Sequence, residues 1–130
     1  MTQEEKNLLL KDLCGRLPYG VICKDTNINI TGTLSQIGLH YDMCVLDKDN
    51  GDSESCYILN CKPYLFPLES MTEEQKVIYG DLCYQVICNS KGLISSDVMK
   101  YINWCYKNHI DINNLIPMGL ANDATGLNIY

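Results

Sequence analysis

At 130 residues the chain has the length of one domain, and its 46% apolar and 20% charged content is that of an ordinary globular protein able to bury a core without covalent staples. A net charge of −6, with Arg16 the only arginine among ten basic residues, argues against a phosphate-tracking surface and hence against non-specific nucleic-acid binding. The longest apolar run is far too short for a membrane span, and Met1 leads straight into an acidic, cappable helix, so the expectation is a cytoplasmic protein with no membrane contact.

The first element, within residues 1–17, is a helix. Thr2 and Glu5 stand at capping-box spacing, and Leu8, Leu9, Leu13 and Cys14 supply an apolar face, with Gly15 and Pro18 as stop signals. A β half follows over residues 20–68. Residues 20–24 are β-branched and apolar, residues 25–29 are turn-forming, and residues 30–37 make a second strand with Gly32 and Gly38 as candidates for bulges or bends. Residues 43–46 read as a third strand and 56–59 as a fourth. Asn50-Gly51 between them is a strong hairpin signal, because both residues tolerate positive φ. Pro63 and Pro67 cannot donate to a ladder, so the sheet is expected to end near Cys61 or to become an edge there.

The helical half spans residues 72–120. Thr72 with Gln75, or Ser70 with Glu73, caps a helix running to about Cys88, with Val77, Ile78, Leu82, Gln85 and Val86 along one stripe. Asn89, Ser90 and Gly92 break it. Ser95 or Ser96 then caps a further helix whose Val98, Ile102, Cys105, Tyr106 and His109 share a face. Asp111 caps a last short turn carrying Leu115 and Ile116, stopped at Pro117 and Gly119. Residues 121–130 form a polar tail. The fold expected is α+β in a single domain: an N-terminal helix, a small antiparallel meander curled into an SH3-like barrel or a strongly twisted sheet, and a C-terminal helical pair closing it.

No catalytic residue, metal site or cofactor is indicated. The eight cysteines read as small apolar side chains in a reducing compartment rather than as a disulfide framework. Asp47, Asp49, Gly51 and Asp52 resemble a calcium loop only superficially: glycine falls one place early, and Ile58 stands where a bidentate glutamate belongs. Cys56 with Cys61, and Cys83 with Cys88, are five apart. That step puts side chains on opposite faces of a strand and about 140° apart on a helix, which speaks against zinc. Neither His40 nor His109 has a nucleophile motif around it, and His109 lies on an apolar helical face.

Tyrosine is over-represented, with nine against one Phe and one Trp. A ring that buries apolar area and keeps a polar tip suits contact surfaces. Tyr19, Tyr41, Tyr57 and Tyr64 fall in the β half, and Arg16 and Lys62 sit beside Pro-Tyr sequences. Arg16, Tyr19, Tyr41, Lys62 and Tyr64 are therefore the candidates for holding a small anionic ligand. Tyr101 and Trp104, on the last long helix, are candidates for contact with a protein partner, with packing of the helix as the competing role.

Three stretches, EEKNLLLKDLCGRLPYGV, KPYLFPLESMTEEQK and INWCYKNHIDINNLIPMGLA, resemble a family of small proteins without assigned activity from Bacteroides-type gut bacteria and their phages and mobile elements. The chain departs from that pattern at Phe66, where relatives carry an arginine, and at Asn113-Asn114, where they carry Arg-Gly. The resemblance implies a phage or mobile-element setting in a bacterial host cell and brings no activity with it. Together with the lack of chemical motifs, the acidic charge and the many tyrosines, it leads to the expectation of a non-enzymatic accessory protein that binds a host protein in a regulatory or counter-defence role. The other readings are a small-ligand binder that sequesters a nucleotide-derived signal, and a cysteine-dependent enzyme or zinc protein.

Overall fold

The structure, a computed structural model, describes residues 1–88 and 95–130; the expected break at Asn89, Ser90 and Gly92 lies outside them. Helix α1 (Gln3–Arg16) starts on the anticipated reciprocal cap, with the Thr2 hydroxyl accepting from the Glu5 N–H and the Glu5 carboxylate accepting from the Thr2 N–H. Its buried face is Leu9, Asp12, Leu13 and Arg16, so two charges lie on it, while Cys14 is exposed. Gly15 does not end the helix. It is a contact glycine: a Cβ there would run into the Tyr106 ring. Pro18 instead begins a single 3₁₀ turn, Leu17–Tyr19, and Gly20 turns the chain out of it at φ 69°.

The sheet comprises β1 (Ile22–Asp25), β2 (Ile30–Gly38), β3 (Met43–Asp47), β4 (Ser53–Tyr57), β5 (Cys61–Leu65) and β6 (Asn122–Asp123), in the spatial order β4-β3-β2-β1-β5-β6. All pairings are antiparallel except the short β5–β6 one. The bulge in β2 falls between Leu34 and Gln36 rather than at Gly32 or Gly38. Gly32 serves a different need, because the Asp47 carbonyl oxygen of β3 lies 2.6 Å from where its Cβ would be. The β3–β4 hairpin forms where Asn50-Gly51 placed it, but with a three-residue loop. Lys48 and Asp52 close it, and only Gly51 takes positive φ, at 89°.

A 3₁₀ turn at Ile58–Asn60 carries the chain from β4 into β5, so the run expected to be one strand over 56–59 divides between strand and turn. β5 then continues through Pro63 instead of stopping near Cys61. The ladder phase explains the tolerance. The bond from the Thr26 N–H to the Asn60 oxygen makes even-numbered β1 residues the hydrogen-bonded ones. Pro63, opposite Cys23, thus falls where no N–H is asked for. One step further on, at Ile22 and Tyr64, the Ile22 N–H does not reach the Tyr64 carbonyl directly. The Tyr130 hydroxyl lies between them, accepting from the Ile22 N–H at 2.9 Å and donating to the Tyr64 carbonyl at 2.7 Å. The tail therefore docks.

β4 and β5 are not hydrogen-bonded to each other, so the sheet stays open and no closed barrel forms. Its inner face curls over α1. Leu9 and Leu13 of the helix meet Val21, Leu34, Leu46, Ile58, Leu65 and Leu115 together with Cys23, Cys44, Cys56 and Cys61 in one core. Helix α2 (Glu73–Cys88) opens on the Thr72–Gln75 cap, with both reciprocal bonds made. Helix α3 (Ser95–Lys107) ends before His109, which takes φ 59° and turns the chain back along β5. Asp111 then caps the following turn, accepting from the Leu115 and Ile116 N–H groups.

α1, α3 and the segment after it are joined by one buried charge cluster. The Arg16 guanidinium donates to both Asp12 carboxylate oxygens at 2.7 and 3.0 Å and to the Ile110 carbonyl at 2.7 Å, and lies 4.6 Å from the centre of the Tyr106 ring. Asn113 adds a donor to Asp12. Neither side chain of the ion pair is accessible to solvent. Replacing Arg16 by Met leaves a buried carboxylate without its cation, and the expected loss is about 3–5 kcal/mol in urea unfolding. A double replacement, Asp12→Leu with Arg16→Met, is expected to recover most of it.

Candidate functional site

The structure disperses the residues that sequence pattern offered for a ligand. Arg16 is inside the molecule, with its Nε and Nη2 committed to Asp12 and Ile110 and its buried Nη1 without a hydrogen-bond partner among the described residues. Tyr19 is half-buried in the 3₁₀ turn after α1, and Tyr41 is 75% exposed in the β2–β3 loop beside His40. Lys62 and Tyr64 do share the outer face of β5, where Lys62 lies directly opposite Lys24 of β1. No carboxylate pairs with either lysine among the described residues. The hollow on this side of the sheet, about 270 Å³, is lined by Ile22, Thr31, Gly32, Thr33, Asp49 and Ile129, and includes no lysine. The concave face of the sheet is filled by the core, so the tyrosines of the β half have no cleft to line.

The cysteines fall into different environments. Both Cys56 and Cys61 point into the core, against the alternation expected from their spacing, because the 3₁₀ turn between them breaks the strand phase. There they meet Cys23 and Cys44, not Cys83 and Cys88, which lie on α2. Contact with the Cys61 thiol, and burial, push Cys44 far up; contact with Cys23 raises Cys61 in the same way. Burial, followed by Cys44, pushes Cys56 up to about 12, and burial takes Cys105 to about 11. Thiols held protonated in this manner are poor nucleophiles. Among the described residues no group of three or more His, Cys, Asp or Glu side chains is placed to hold a metal ion.

His109 stacks on Tyr130 with ring centres 3.6 Å apart, and burial, reinforced by the Arg16 charge, lowers its pKa to about 4. No hydrogen bond links either histidine to a cysteine among the described residues, and His40 is exposed on its loop.

Tyr101 and Trp104 face α2. The Tyr101 hydroxyl is 3.2 Å from that of Tyr79, and the Tyr79 ring packs against both. They seal the α2–α3 seam, with Leu82, Cys83 and Val86 half-buried on the α2 side. The stripe read from sequence is therefore turned: Val77, Ile78 and Gln85 are exposed, while Tyr79, Leu82, Cys83 and Val86 are the contact residues. On the outside, α2 carries Val77, Tyr84 and Ile87 at 64%, 68% and 70% exposure, and none of its residues is buried. Of these, Val77 belongs to the stripe that sequence pattern reads as the inner one, and Tyr84 and Ile87 are not singled out by pattern. The available signal was a second 3–4 spacing, Val77, Gly80, Tyr84, Ile87, on a helix that already had one apolar face.

The fold and surface define an α+β protein with an apolar helical hairpin laid against one side and no assembled chemical centre among the described residues. No helix among them is long and apolar enough to cross a membrane. No family model, no curated protein and no solved structure matches the chain.

Two measurements check this environment. With a thiol reagent at mildly alkaline pH, Cys14 and Cys88 are expected to react promptly, whereas Cys23, Cys44, Cys56, Cys61 and Cys105 react only on unfolding; rapid labelling of a core thiol would contradict it. Between pH 6.5 and about 4 the unfolded chain binds a proton at residue 109 that the folded chain does not. Stability is thus expected to fall as pH drops through that window. The drop in urea midpoint should be smaller in His109→Asn, a residue that suits positive φ.

Proposed function

We propose that the chain is a non-enzymatic accessory protein of a phage or mobile element that acts by binding a host protein, and that the outer face of α2 is a surface for protein contact. One observation carries the binding role: a 16-residue helix forms the outermost layer, buries no residue of its own, and turns Val77, Tyr84 and Ile87 to solvent. Exposed apolar residues scattered singly need no explanation, but a row of them along one helix is the mark of a surface that meets another protein. The resemblance at the three stretches quoted above supports the biological setting. The raised thiols and the absence of a nucleophile–base pair among the described residues favour contact over chemistry.

A small-ligand role has less support. It needs Arg16 or Lys62 beside tyrosines in a pocket. Arg16 is occupied internally, Lys62 has only Tyr64 beside it on β5, and the hollow on that side has the Asp49 carboxylate in its lining.

The test is a photo-crosslinking phenylalanine analogue placed at Tyr84 in one variant and at Thr31, on the outer face of the sheet, in another. The expected result is a discrete protein adduct from position 84 in cells and none from position 31. No adduct from position 84 overturns the assignment of the surface.

A further inference from the structure

The outward row of α2 contains a glycine that no packing contact among the described residues requires. At Gly15, the close approach of Tyr106 forbids a side chain; at Gly80 an added Cβ would meet nothing within 4 Å among the described residues outside the helix's own backbone. A glycine inside a helix costs about 1 kcal/mol relative to alanine. Gly80 thus weakens α2 with no return from the fold itself. One turn later, on the same row, stands Tyr84, the largest side chain of the stripe. Hollow and knob lie four residues apart on one helix face.

That arrangement is self-complementary. At about 100° per residue, Val77, Gly80, Tyr84 and Ile87 fall within an arc of about 80°, turned away from the residues that meet α3. If a second α2 crosses antiparallel about a two-fold axis between residues 80 and 84, each Tyr84 covers the partner's Gly80 and each Val77 meets the partner's Ile87. Small residues at the crossing let the helices come close, so the whole row is used. Charge selects the sense of the crossing. Glu73 and Glu74 occupy the first turn of α2, and a parallel pair would set these carboxylates side by side, whereas an antiparallel pair puts them at opposite ends. The apolar hollow of about 160 Å³ lined by Cys83, Val86, Ile87 and Tyr101 opens at the edge of the same face and extends the contact surface toward α3.

Resting on the binding role proposed above, we infer that the occupant of the α2 surface is a second copy of this chain, packed antiparallel about a two-fold axis at Gly80–Tyr84. A helix of 16 residues is about 24 Å long, so this contact lies at the low end of stable interfaces, about 600 Å² per partner. The dimer is accordingly expected to dissociate on dilution.

Sedimentation velocity of the full chain from low to high micromolar concentration tests it. A concentration-dependent monomer–dimer equilibrium is expected. Tyr84→Lys should weaken association at least tenfold. Gly80→Leu should do the same while raising thermal stability, since it improves the helix and blocks the crossing, so a folding defect cannot mimic the result. A monomer at every concentration, open-ended oligomers, or a dimer indifferent to both substitutions would overturn the inference. The crosslinks from position 84 separate this failure from that of the binding role. An adduct with a different protein from a chain that stays monomeric rejects only the self-association; no adduct at all rejects both.

Discussion

The Asp12–Arg16 pair is the constraint around which the rest is arranged. A guanidinium with no access to water must have its charge met, and here a carboxylate one turn earlier, the Ile110 carbonyl and the face of Tyr106 meet it. The hydrogen bonds run through Nε and Nη2, while Nη1 has no hydrogen-bond partner among the described residues. Each of the three groups comes from a different place: α1, the turn after α3, and α3. Satisfying Arg16 therefore requires the C-terminal half to fold back on the N-terminal helix. Gly15 lies beside it because the Tyr106 ring must come down on α1 at that point. Hydrophobic contact alone would bring these helices together in several ways; this cluster accepts one.

The same return of the chain completes the sheet. Phe66 bonds to His109 and Asp111, β6 runs beside β5, and the Tyr130 hydroxyl fills the step in the ladder between Ile22 and Tyr64. Pro63 costs the ladder no bond, but one pair further on the Ile22 N–H and the Tyr64 carbonyl are bridged rather than joined. A polar group from the far end of the sequence closes the gap, with its ring stacked on His109. Burial of that stack holds the imidazole neutral and keeps the tyrosine hydroxyl protonated, as the ladder bonds require.

Chemistry and contact are separated in this molecule. The buried thiols of Cys23, Cys44, Cys56, Cys61 and Cys105, the ion pair and the histidine stack are spent inside, on packing and on satisfying polar groups. What is left outside is α2, held to the body through α3 by Tyr79, Tyr101 and Trp104. The residues that looked most like binding groups by composition, Arg16 and the tyrosines of the β half, do not converge on one place.

Much of the architecture was legible locally. The Thr2–Glu5 and Thr72–Gln75 caps, the Asn50-Gly51 hairpin, the Asp111 cap and the α+β order depend on residues within five positions of one another, where side-chain chemistry and backbone geometry suffice. What local pattern left undecided were choices between equivalent faces and partners. α2 is apolar on two sides, so periodicity gave no reason to prefer one, and only the position of α3 assigned inside and outside. β5 crosses Pro63 because the Thr26–Asn60 bond, made across the sheet, sets the ladder phase. Arg16 reads as a loop cation beside a proline until residue 110, which lies 94 positions away, supplies its acceptor. Sequence by itself determined the elements, because their energetics are short-ranged. Tertiary structure decided which faces are buried and which charges are met, because desolvation is a property of whatever the chain brings alongside.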